Sequence, residues 1–120
     1  MPGDVDYARE KYSAARRTLA DGDSPLRDRL GDAYASQAIR VMPLRPGVGP
    51  LISHRVAERI EALHRDLTGG DPGAGGAVVD NVRALDDGEV AAFTRELLDI
   101  AAELDAEYYF HHPADDPGSG

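Results

Sequence analysis

Few side chains in this sequence are of the kinds that carry chemistry. There are four histidines, no cysteine and no tryptophan. The lack of cysteine excludes a disulfide scaffold, thiolate zinc sites and a cysteine nucleophile. Glu61-Ala62-Leu63-His64 has the Glu-x-x-His spacing that aims a carboxylate and an imidazole at one metal in di-iron bundles. Such a centre needs a second pair of this kind, and the sequence has none. His111 and His112, with Asp115 and Asp116, are metal-ligand types in a Pro/Gly-containing end segment that gives them no fixed geometry. Ser53 and His54 are neighbours, and neighbouring helical side chains diverge by about 100°. The run Gly69-Gly70-Asp71-Pro72-Gly73-Ala74-Gly75-Gly76 has no lysine and no preceding strand, so it reads as a joint and not as a phosphate loop. No metal and no cofactor is expected.

Arg59 and His64 are the remaining pair with reactive potential. An arginine followed by four to six residues and a histidine resembles the signature of the HEPN ribonucleases. Those are small helical bundles whose dimers join two such motifs into an RNA-cutting cleft. The resemblance implies catalysis by Arg59 and His64. The position after the arginine, usually polar in that family, is Ile60 here. The alternative for the pair is a surface position on an arginine-rich helix, with His64 beside Glu61.

Charge is divided unevenly. Residues 1–68 carry 11 bases and 10 acids, whereas residues 69–120 carry 2 bases and 12 acids, within a net charge of −9. General nucleic-acid binding is not expected of such a chain. Arg16, Arg17, Arg27 and Arg29 flank the turn between the first two helices and form a basic corner suited to a phosphate or an acidic partner. Glu96, Asp99, Glu103 and Glu107 are expected on the outer face of the last helix. An acidic decoy for a nucleic-acid-binding protein is therefore a further reading.

These residues must be positioned by helices. Val5, Ala8, Tyr12, Ala15 and Leu19 step by three and four, with Asp4 or Asp6 as cap. Leu26, Leu30, Ala33, Gln37 and Val41 form a second stripe, expected to start at Ser24-Pro25 and to stop at Pro43. Val56, Ile60, Leu63 and Leu67 form a third, starting at Pro50 or capped by Ser53. Val78, Val79, Val82 and Leu85 predict a short helix, with a strand as the alternative. Asp86-x-x-Glu89 is a capping box opening the longest helix, whose buried side runs from Val90 through Leu104 to Tyr108.

The expected fold is all-α: a small antiparallel bundle of four main helices plus a short one. One domain covers 1–110, with a flexible joint at 69–76 and a disordered tail at 111–120. No apolar stretch approaches the roughly 18 residues of a membrane span, so a cytoplasmic location is expected. Many arginines, one lysine and abundant alanine suggest a GC-rich bacterial genome. Tyr108-Tyr109-Phe110 sweep about 200° of helix, more than one core can cover. With Leu98 and Ala101 they are the expected contacts of a protein partner or homodimer. The expected function is a small acidic interaction or regulatory module that self-associates and is not an enzyme.

Overall fold

The computed structural model describes residues 4–21, 23–42, 44, 51–69 and 75–111. Among these residues lie five α-helices, a 3-10 turn and one isolated antiparallel bridge between Asp4 and Leu51. The helices are α1 (Val5–Asp21), α2 (Leu26–Ser36), α3 (His54–Thr68), α4 (Gly75–Ala84) and α5 (Asp87–His111), with the 3-10 turn at Ala38–Val41. The chain is an all-α bundle. α1 lies along α5 and against α2, α2 packs on α4, and α3 packs on both α4 and α5.

The expected stripes are the core. Val5, Ala8, Tyr12, Ala15 and Leu19 are buried along α1, and Val56, Ile60, Leu63 and Leu67 along α3. Val90, Leu97, Ile100 and Leu104 are buried along α5. Each fully buried aliphatic side chain contributes roughly 1.5–3 kcal/mol. The valine-rich segment after the joint is helical, with Val78 and Val82 against the core. No neighbouring strand is present among the described residues to pair with it as a sheet.

Local signals set most helix starts. The Asp4 carboxylate accepts from the Asp6 and Tyr7 amides at 2.8 and 3.3 Å. The Ser53 hydroxyl accepts from Val56 N–H at 3.3 Å and caps α3. Asp86 and Glu89 exchange reciprocal bonds at 2.8 and 3.0 Å, the expected capping box. Gly69 closes α3 at φ 68°, where a side chain would be strained.

Two boundaries differ from expectation. The second helix does not run to Val41. It ends at Ser36, Gln37 breaks the helical dihedrals, and a 3-10 turn carries the chain onward. This turn still buries Ala38 and Val41, so the stripe holds while the helix does not. Nor does Ser24 cap α2; Pro25 occupies that position without a side-chain bond. Gly69 and the first turn of α4 bound the expected joint, whose residues 70–74 lie outside the described set, as do tail residues 112–120. His111, assigned to the tail, ends α5.

Candidate functional site

The Arg59–His64 pair is built on α3, and the helix separates it. Five residues turn a helix by about 500°, which leaves the two side chains roughly 140° apart. Arg59 faces α5. Its Nε and Nη2 bond the Glu96 carboxylate at 3.0 and 2.5 Å, and its Nη1 reaches Glu103 at 3.5 Å. Asp99 lies 3.8 Å away. The bond to Glu96 holds the guanidinium pKa above its ordinary value, against a smaller opposing effect of burial.

His64 faces α2. It is buried, not a surface partner of Glu61. Its Nδ1 lies 2.9 Å from the Tyr34 hydroxyl, itself fully buried. Burial pushes the imidazole pKa below the ordinary histidine value and the Tyr34 phenol above its own. Both groups are therefore neutral near pH 7. One hydrogen bond joins the phenol to Nδ1, and the imidazole tautomer sets which of the two donates. The geometry supplies no support for joining Arg59 and His64 in one reaction, because one serves a salt bridge and the other a core hydrogen bond. The signal for His64 was present in the sequence. It lies four residues after Ile60 and seven after Ala57, both buried, so it belongs to the apolar stripe.

The seven acids of α5 are not a uniform outer face: Asp99 is exposed, whereas Glu96, Glu103 and Glu107 are half-buried. All seven have partners. Asp87 meets Arg27 at 2.8 Å, and Glu89 closes the capping box. Glu96, Asp99 and Glu103 face Arg59, and Arg55 holds Glu103 with two bonds at 2.8 and 2.6 Å. The Arg55 bond is the main cause that keeps the Glu103 carboxyl below its ordinary pKa. Asp105 bridges Arg9 and Arg16 at 3.1 and 3.0 Å. Glu107 accepts from the Ser53 amide and hydroxyl at 2.8 and 2.6 Å, anchoring the first turn of α3. The charge imbalance between the two halves thus lines the seams where α5 meets α1 and α3.

The basic corner is dispersed in the same way. Arg27 donates to the Val82 carbonyl at 2.9 Å and to the Leu85 carbonyl, closing the C-terminal end of α4. Arg29 donates to the Ser24 carbonyl at 2.8 Å and to that of Leu19, in the last turn of α1. Each arginine opposes the dipole of its own helix and satisfies the end of another. Arg16 belongs to Asp105, and Arg17 is exposed.

The expected contact residues also separate. Ala101 is 2% exposed and lies in the core, so it is removed as a contact. Tyr108 packs partly against the core beneath the Arg9 guanidinium, 4.2 Å from its ring centre. Tyr109 accepts a bond from Arg9 at 3.0 Å and meets Tyr108 edge-on. Leu98 is exposed on α5, and Phe110 is 79% exposed. The sequence missed Tyr7 and Leu51, which are also exposed large apolar residues. Leu51 bridges to Asp4, one turn before Tyr7, while Ser53 is tied to Glu107, one turn before Phe110. These three side chains therefore share one end of the bundle.

Among the described residues no group of three or more histidine or acidic side chains is placed to hold a metal ion, and no helix is long and apolar enough to cross a membrane. No family model, curated protein or solved structure matches the chain.

Proposed function

We propose that this chain is a protein-interaction module without catalysis, which self-associates through the bundle end formed by Tyr7, Leu51 and Phe110. The observation that carries this reading is that three of the four exposed large apolar side chains among the described residues lie at that end of the bundle. Scattered exposed apolar residues are ordinary on a protein surface, whereas a cluster marks a contact site. Aromatic side chains are enriched at such contacts. The polar machinery supports the same reading from the other side. Arg59 and His64, the best reactive candidates, are both engaged in holding helices together. The neighbouring Tyr109–Arg9 bond fixes the C-terminal turn of α5, so the surface around Phe110 is presented on a rigid element.

Light scattering over a concentration series tests this. The wild-type chain is expected to show a mass above that of a monomer, and a Leu51→Ala, Phe110→Ala variant a monomer with unchanged helical circular dichroism. Neither side chain lies in the core, so loss of fold is not expected to confuse the result. A wild-type monomer at high concentration would sink the reading.

A further inference from the structure

The outer face of α1 carries an arrangement that the helix contacts do not use up. Arg9, Ser13, Arg16 and Arg17 fall within roughly a 100° arc of that helix, and with Glu10 they line an open groove of about 330 Å³. Two of the three guanidiniums are held in place from below. Asp105 takes Arg9 Nε and Arg16 Nη1, and Tyr109 takes Arg9 Nη2. A guanidinium has five N–H donors, so each keeps donors for a further acceptor. Arg17 is exposed and makes no hydrogen bond or ion pair among the described residues, and the Ser13 hydroxyl is likewise uncommitted. Glu10, the one acid on the rim, is drawn toward Lys11 at 3.7 Å.

We propose that this groove binds a phosphate dianion, free or as the terminal group of a small monoester. Guanidinium forks match carboxylate and phosphate oxygens alike. A carboxylate occupies one fork with its two oxygens. A phosphate has oxygens enough to engage three guanidiniums and a hydroxyl around one small concavity. Three arginines against Asp105 and Glu10 leave the groove positive in a chain of net charge −9. Its donors are anchored from below as well as numerous. It shares no residue with the apolar end at Phe110 and does not depend on self-association.

Titration calorimetry with inorganic phosphate and with glycerol 3-phosphate, at low and at physiological salt, tests the proposal on the full chain. Saturable binding is expected, weakened by salt. Arg17→Ala, which removes no contact of the fold, is expected to weaken binding about tenfold, the loss of one charge-assisted bond. Asp105→Asn separates a built site from a diffuse basic patch. It removes one negative charge, so a patch would bind tighter, whereas a site that needs Arg9 and Arg16 anchored binds weaker. Tighter binding of the monoester than of phosphate assigns the ligand to the esters, and equal binding assigns it to free phosphate. Absence of saturation, indifference to Arg17→Ala, or tighter binding by Asp105→Asn would each overturn the site.

Discussion

Tyr12 on α1 and Tyr34 on α2 are both fully buried, and they differ in what their hydroxyls meet. The Tyr34 hydroxyl bonds His64 at 2.9 Å. The Tyr12 hydroxyl is enclosed and has no hydrogen-bond partner among the described residues. Burial raises the pKa of both phenols, so neither ionises near neutrality. As hydrophobic payload the two rings are equivalent. As polar groups they are opposites, because a satisfied buried hydroxyl is close to neutral and an orphaned one carries its full desolvation penalty. Tyr→Phe substitutions at the two sites are therefore expected to differ in sign.

The largest effect is expected from Tyr34→Phe. It keeps the ring and removes the hydroxyl that pairs with Nδ1, leaving a buried imidazole nitrogen unpaired. Denaturant unfolding is expected to show a loss of about 1–3 kcal/mol. An unchanged midpoint would mean that the Tyr34–His64 bond does not distinguish the two tyrosines.

The second effect is in pH. Burial lowers the His64 pKa below its ordinary 6.5, so the folded chain binds fewer protons than the unfolded chain. Stability from this group is complete above about 6.5. It is lost as pH falls from there through the lowered folded value, because burial disfavours the charged imidazolium. His64→Asn keeps an amide oxygen able to accept near the Nδ1 position and cannot titrate. Its stability is expected to be flat across that window, where the wild type declines. Glu103, also held below its ordinary value, acts lower. Its contribution is present above the usual carboxylate range and is lost on further acidification, in both proteins. A wild type as flat as His64→Asn between neutrality and the carboxylate range would remove His64 as the cause.

How far the sequence reached follows from the same contrast. Apolar spacing is a property of one helix, and it placed Tyr12, Ile60, Leu97 and Leu104 in the core correctly. Capping is equally local, and Asp86-x-x-Glu89 and Ser53 act as their spacing implies. Pairing between helices is not local. Arg59 meets Glu96 across 37 residues, and Arg9 meets Asp105 across 96. No periodicity within α3 or α5 reveals that their charged edges are cut to face each other. The unequal charge of the two halves was visible. Its destination was not, since a charged stripe facing solvent and one facing an opposite stripe read alike in sequence. Gln37 shows a further limit: it was placed on the buried stripe, but it is only half-buried and the helix breaks there, while the 3-10 turn that follows buries Ala38 and Val41.

The smallest effect is expected at Tyr12, and its sign is the informative part. Tyr12→Phe removes an enclosed hydroxyl that meets no hydrogen-bond partner among the described residues and leaves the ring where it is. Nearby polar groups do not gain from it. Tyr34 is committed to His64, and Glu96 to Arg59. The phenylalanine fills the same stripe position in α1 between Ala8 and Ala15, both buried. Stability is expected to stay level or rise by up to about 1 kcal/mol, the lower end of the cost of an unsatisfied buried donor. Because the two tyrosines lie in adjoining helices, the Tyr12→Phe, Tyr34→Phe double variant completes a cycle. Independent sites give a double variant equal to the sum of the singles. A deviation beyond about 0.5 kcal/mol would mean that the Tyr12 hydroxyl takes up the role of the missing Tyr34 hydroxyl. A clear loss of stability in the single Tyr12→Phe variant would show that this hydroxyl is satisfied in solution, and the contrast between the two sites would collapse.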